Sequence, residues 1–214
     1  LSKDGEPEKV LFTQLPYIMD GNLNSPASIQ RLKEFGESLK NNVDAVVSFG
    51  IGGSYLGNKV LFDVQCGEFW NYQPVEARHG YPKLYFSGNN IDPRRTSELV
   101  EQLLHEARLK ERHAWAKSGD CFAGARNDRP LYKVLLIVIS KSGSTLDTMS
   151  TFMVVYDALK QAGPLLEAAV AAVTDPAEGA KATLLKKLAD RNGWPTFSVP
   201  DGVGGRFSIF SEVG

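Results

Sequence analysis

Residues 134–148 read Val134-Leu135-Leu136-Ile137-Val138-Ile139-Ser140-Lys141-Ser142-Gly143-Ser144-Thr145-Leu146-Asp147-Thr148. The first six are aliphatic without interruption, the pattern of a strand buried on both faces. A hydroxyl-rich loop follows, and a helical pattern then begins. That order directs backbone N–H groups and short hydroxyls at one spot, which suits a phosphate-like anion. Five of the nine residues from Ser140 to Thr148 carry a hydroxyl. Ser142, Thr145 and Thr148 are spaced by three, so a loop entering a helix brings them to one side. Lys141 adds a charge. No Walker A loop occurs anywhere in the chain, and the plainer reading of this stretch is a Ser/Thr capping segment.

Outward from this stretch, strand-like runs alternate with helical ones. Strands are expected at 43–49, 83–86, 132–139, 168–173 and 196–199, the fourth ambiguous because alanine also favours helix. Helices are expected at about 27–41, 54–66, 93–116, 145–162 and 177–191. This alternation predicts an α/β fold, a parallel sheet with helices on both faces. Ligands of such sheets sit outside the carboxyl ends of the strands. Small and polar residues cluster at four of those ends: Gly50–Ser54, Ser87–Asn90, Ser140–Ser142 and Pro200–Gly202. The stretch 117–130 reads as a surface loop. Residues 1–25 lack periodicity and read as a lead-in segment to one domain over 26–214.

At 214 residues and 43% hydrophobic, the chain is large enough for one domain with an ample core. Its 25 acidic and 24 basic side chains nearly cancel, which argues against a nucleic-acid binder working through a basic face. Cys66 and Cys121 form no C-x-x-C pair and read as structural thiols of a reduced cytoplasmic protein. No cationic leader and no bilayer-spanning apolar run is evident. The chain opens on Leu1 and stops at Gly214, so a piece of a longer protein is expected.

Two further constellations matter. Gly50-Ile51-Gly52-Gly53-Ser54-Tyr55-Leu56-Gly57 lies at a strand–helix junction, where glycine permits positive φ and close backbone approach. It is not a dinucleotide fingerprint, because Tyr55 stands at the third glycine position, nor a nucleophile elbow, because Leu56 stands at the last. A tight turn with Ser54 as N-cap is the structural alternative. Asp201-Gly202-Val203-Gly204-Gly205-Arg206-Phe207-Ser208 sets an arginine after paired glycines. Its planar, permanently charged fork suits a phosphate or a developing oxyanion, or a structural carboxylate. His79, His105 and His113 do not cluster at ligand spacing, and no metal site is expected. Arg94 and Arg95 read as a surface pair at a helix start.

In this order and at these intervals the motifs resemble those of glucose-6-phosphate isomerases. Gly50–Gly57 is similar to the family's G-I-G-G-S-x-L-G, and Ile139–Thr148 to its I-S-K-[ST]-G-[ST]-T-[LQ]-[ED]-T in bacterial form. Asp201–Gly214 is similar to its V-G-G-R-[FY]-S signature, and Asn90-Ile91-Asp92 to its N-[IV]-D. The resemblance runs from about Val43 to Gly214. It implies the first of two sugar-isomerase (SIS) domains, a flavodoxin-like three-layer αβα sandwich around a five-stranded parallel sheet. It implies phosphate contacts from Ser140, Lys141, Ser142, Gly143, Ser144, Thr145 and Thr148, and sugar-phosphate contacts from Gly53 and Ser54. Arg206 matches the arginine that stabilises the enediolate. The implied reaction interconverts glucose 6-phosphate and fructose 6-phosphate with no metal or organic cofactor, in a cytoplasmic homodimer. The family's glutamate base, ring-opening histidine and late lysine have no match in residues 1–214. Glu212 stands where the family has a small residue or proline, and either pairs with Arg206 or faces out. Two alternatives stay open: an SIS module that senses a sugar phosphate, and a related ketose or mannose phosphate isomerase. Arg206 in its V-G-G-R context is the feature a sensor does not need.

Overall fold

The computed structural model describes residues 10–118, 131–199, 202–203 and 205–213. Within them the elements run α1 (Pro26–Leu39), β1 (Ala45–Phe49), α2 (Gly53–Gln65), β2 (Lys83–Ser87), α3 (Pro93–Ser118), β3 (Tyr132–Ile139), α4 (Leu146–Gln161), β4 (Leu166–Thr174), α5 (Leu184–Asn192) and β5 (Thr196–Ser198). The strands form one parallel sheet in the order β2-β1-β3-β4-β5. The expected three-layer α/β sandwich is therefore what the chain adopts.

The pleat divides the core in two. Val47, Phe49, Leu136 and Val138 face α3, α4 and α5, where they meet Leu103, Phe152, Val155, Leu159 and Leu185. Val46, Leu135, Ile139 and Val173 face the other way, against Leu32, Phe35 and Leu39 of α1. Alternate residues of one uninterrupted aliphatic run thus serve both layers, as a central parallel strand requires. The alanine-rich stretch is strand: Val134–Ile139 of β3 pairs in register with Ala168–Val173 of β4. Tertiary pairing overrides the helical leaning of alanine there.

Local chemistry sets the helix ends. Ser25 caps α1 in a reciprocal box with Ser28, and Pro26 fills the first helical position. The helix expected at 177–191 begins later, at Leu184. Gly179, at φ 63°, opens a 3-10 turn, and Thr183 is extended as the N-cap. Glu106 of α3, 7% exposed, anchors that helix to the sheet. It accepts bonds from Lys83 Nζ (2.6 Å), Tyr85 OH (2.8 Å), Gln102 Nε2 (2.8 Å) and the Tyr132 hydroxyl.

Candidate functional site

β1 and β3 are neighbours, yet the helices that follow them lie on opposite faces: α4 packs in one core half, and α2 lies beside α1. Strand order reverses at this point, which opens a crevice at the carboxyl ends of the two strands. Both α2 and α4 begin there, and neither has a side-chain cap. Gly52 (φ 58°, ψ −121°) is the N-cap of α2 and Thr145 that of α4. Two helix N-termini without capping oxygens favour an anion at the crevice. The glycines are steric necessities: a Cβ on Gly50 would lie 2.5 Å from the Ser54 carbonyl oxygen. Ser54 is not the cap envisaged from the sequence. The chain turns two residues earlier, where only glycine takes the required positive φ easily, so Ser54 lies inside the first turn.

The loop after β3 gathers hydroxyls. Ser140 Oγ lies 2.9 Å from Thr145 Oγ1, and Ser142 Oγ lies 3.5 Å from the same atom. The Ser144 hydroxyl donates to Ser142 Oγ at 3.3 Å. The patch runs from Ser140, buried, to Ser142 and Ser144, which face solvent. Exposed Lys141 is in the same loop, while Asp147 puts one acid in the first turn of α4. Thr148 does not join the patch. It is fully buried, and its hydroxyl donates to the Gly88 carbonyl at 3.2 Å. Of the three residues spaced by three, two share a side and the third ties α4 to the loop after β2. Gly88 (φ 76°) comes so near that an added Cβ would lie 3.3 Å from Thr148 Cα.

The third motif docks beside the first. The 3-10 turn Gly205–Phe210, which carries Arg206, packs across the start of α2. A Cβ on Gly57 would lie 2.6 Å from Ile209 Cβ, and the Ser208 hydroxyl donates to the Gly53 carbonyl at 3.3 Å. The Arg206 side chain, Asp201 and Gly204 lie outside what the structure describes. Glu212 does not face out. It binds Arg31 at 2.8 Å and accepts the Ser198 N–H at 2.6 Å, fastening the last turn to α1 and β5. The lead-in closes over the same turn: Phe12 stacks on Phe207 with centroids 4.2 Å apart. Leu11 N–H donates to the Gly202 carbonyl at 2.9 Å.

Asp92 of the Asn-Ile-Asp motif accepts the Arg94 and Arg95 N–H groups at 3.0 and 3.2 Å and so caps α3. Arg94 pairs with Glu98 on the surface, as a helix-start pair would. His79, His105 and His113 are exposed. No group of His, Cys, Asp or Glu among the described residues is arranged to hold a metal ion. Burial pushes the Cys66 thiol up from its ordinary value; Cys121 lies outside the described residues. No helix among the described residues is long and apolar enough to cross a membrane. A cavity of about 430 Å³ lies elsewhere, on the sheet face between α1 and α2. Its walls are mostly apolar, including Leu32, Phe35, Leu61 and Phe62, and unlike the hydroxyl crevice it offers an anion few donors.

Two residues at the crevice escaped the sequence reading. Thr174 ends β4, 1% exposed, and its Oγ1 lies 3.0 Å from Thr183 Oγ1, the N-cap oxygen of α5. It also reaches the Lys141 carbonyl at 3.5 Å. The signal was present: Thr174-Asp175 is a polar pair at a strand's carboxyl end, like the four such ends noted above.

No protein-family model matches the chain. A glucose-6-phosphate isomerase of Alkaliphilus metalliredigens is 34% identical over 187 residues, 86% of this chain and 35% of the relative. One of Latilactobacillus sakei is 34% identical over 205 residues, 95% of this chain and 38% of the relative. Among solved structures, a glucose-6-phosphate isomerase from Chlamydia trachomatis superposes with a TM-score of 0.60 at 23% identity, over 96% of this chain and 33% of its own. A Thermus thermophilus protein described as hypothetical superposes with a TM-score of 0.57 at 25% identity, over 99% of this chain and 39% of its own. The structural likeness supports the fold, and the sequence likeness carries the kinship. Spanning about a third of the length of the relatives it matches, the chain belongs to the glucose-6-phosphate isomerase family.

Proposed function

We propose that this chain is the phosphate-holding SIS domain, over residues 26–214 with a lead-in at 1–25, of an aldose–ketose isomerase that interconverts glucose 6-phosphate and fructose 6-phosphate. The observation that carries this is the meeting of a hydroxyl patch with two uncapped helix N-termini at the β1/β3 crevice. Ser140, Ser142, Ser144 and Thr145 supply hydroxyl donors, the loop at Lys141 and Ser142 supplies N–H groups, and Lys141 supplies charge, while the Gly143 N–H closes the turn on the Ser140 carbonyl at 3.1 Å. Thr148 holds the loop in place rather than touching the phosphate. Gly53 and Ser54 approach the sugar end from α2. A phosphate held by charge-assisted bonds of roughly 1.5–3 kcal/mol each fixes the reacting carbons without covalent chemistry.

The reaction moves a proton between C2 and C1 through a cis-enediolate. A carboxylate base takes it from one carbon and returns it to the other, while Arg206 steadies the negative oxygen. The family's base has no counterpart in residues 1–214, so the working enzyme is the full-length protein, a cytoplasmic homodimer needing neither metal nor organic cofactor.

The test compares this 214-residue chain with the full-length gene product. The chain should bind glucose 6-phosphate weakly with negligible turnover, and the full-length protein should isomerise it. Arg206→Ala in the full-length protein should lower kcat more than it raises KM. Full turnover by the chain alone would overturn the placement of the base. Binding without turnover by the full-length protein would make it a sugar-phosphate sensor.

A further inference from the structure

The geometry points to Thr174 and Thr183 as positioning residues that set the shape of the 140–145 loop for its anion. This rests on reading that loop as the phosphate cradle, and it concerns two residues in neither helix N-terminus at the crevice.

The hydrogen-bond directions fix one another. Thr183 Oγ1 accepts the Lys186 N–H at 3.1 Å, as an N-cap does. Thr174 Oγ1 donates to the Lys141 carbonyl at 3.5 Å. The contact between the two hydroxyls, 3.0 Å long, must then run from Thr183 to Thr174. The result is one relay: Lys186 N–H to Thr183, Thr183 to Thr174, Thr174 to the Lys141 carbonyl. Asp175 N–H reaches the same carbonyl at 3.4 Å. Gly143, at φ 63°, sits directly on Thr183.

The peptide whose carbonyl ends this relay continues into Ser142. Turning the Lys141 carbonyl toward β4 points the N–H of that same peptide the opposite way, away from Thr174, because a trans peptide sets the two antiparallel. Thr174 is buried where water does not replace its hydroxyl. An isosteric methyl therefore removes the Thr174 bond to that carbonyl and loosens the hold on the loop's orientation. The capping helix and the anion loop are thus joined through two hydroxyls, and loss of either reaches the anion only through loop shape.

The experiment is calorimetry on the 214-residue chain with inorganic phosphate and with glucose 6-phosphate, for wild type, Thr174→Val, Thr174→Ser and the Ser142→Ala/Thr145→Ala double variant. Thr174→Val should weaken both ligands about tenfold, a loss of one modest hydrogen bond's worth of order in the loop. Thr174→Ser, which keeps the hydroxyl, should stay within about twofold of wild type. Ala189→Gly in α5, destabilising without touching the relay, separates shape from stability: it should lower the thermal midpoint and leave both affinities unchanged. If Thr174→Val binds as wild type does while the double variant does not, the positioning role is overturned and the cradle stands. If the double variant also binds as wild type does, the cradle reading itself fails. If Ala189→Gly weakens binding as much as Thr174→Val, the effect is stability alone and the relay has no positioning role.

Discussion

Replacing Gly143 by alanine tests how tightly the anion loop is seated on α5. The added Cβ would lie 2.7 Å from both Cβ and Oγ1 of Thr183 and 2.9 Å from the Leu185 backbone nitrogen. Ordinary carbon contacts lie near ~3.5–4.0 Å, so the loop or the helix start must move. The residue also sits at φ 63°, where an L side chain costs about 1–2 kcal/mol. Overpacking of this kind adds about 1–3 kcal/mol, so Gly143→Ala should cost about 2–5 kcal/mol in all. Urea unfolding of the full chain reads this as a lower midpoint at unchanged slope. A second background separates the two costs. Thr183→Gly removes both offending atoms, and glycine as an N-cap costs only a few tenths of a kcal/mol. In that background Gly143→Ala should fall toward the backbone cost of about 1–2 kcal/mol, with a remainder from Leu185. Loss of less than about 0.5 kcal/mol in wild type, or an equal loss in both backgrounds, would refute the packing argument.

Gly57→Ala sets a Cβ against Ile209 and should displace the turn that carries Arg206, costing about 1–3 kcal/mol by urea unfolding. An unchanged midpoint would mean the turn is not seated on α2. Ser142→Ala with Thr145→Ala should weaken inorganic phosphate and glucose 6-phosphate in parallel, by about tenfold in calorimetry; unaltered affinity for both removes the cradle. Burial alone would raise the Glu106 carboxyl, but bonds from Lys83, Tyr132, Gln102 and Tyr85 outweigh it and hold the group below its ordinary value of 4.5. A carboxyl depressed by folding stabilises fully above that ordinary value and loses its contribution as pH falls through the lowered one. Urea midpoints taken from about pH 6 to about pH 3 should therefore show an acid-sensitive component in wild type that Glu106→Gln lacks. The same substitution should cost roughly 2–3 kcal/mol at neutral pH, less than a fully buried pair because Lys83 is one-quarter exposed.

What the sequence made legible was whatever depends on near neighbours. β3 spans Tyr132–Ile139 as expected, because an uninterrupted aliphatic run has few other uses at that length. The crevice followed from polar residues at strand ends, since parallel topology collects those ends at one edge. Partnerships across long separations were not legible. Glu212 finds Arg31 across 181 residues, a partner to which no local pattern points. Thr148 belongs by spacing to the hydroxyl patch, yet the approach of Gly88 from the loop after β2 claims its hydroxyl. Ser54 looked like a cap by composition, but the backbone needed its bend at Gly52. In each case, placement came from periodicity and the partner came from packing.

The buried side chain of Asn24 has a consequence for how the molecule is made. Its amide donates to the Leu15 carbonyl at 2.7 Å and to the Phe210 carbonyl at 2.8 Å, across 186 residues of chain. Synthesis at about 5–20 residues per second leaves roughly 10–40 s between the two partners. During that interval the segment before α1 has no turn to rest on, and Phe12 has no Phe207 to stack against. The segment before α1 is therefore synthesised long before it can be secured, and its closing reports that the turn bearing Arg206 has arrived.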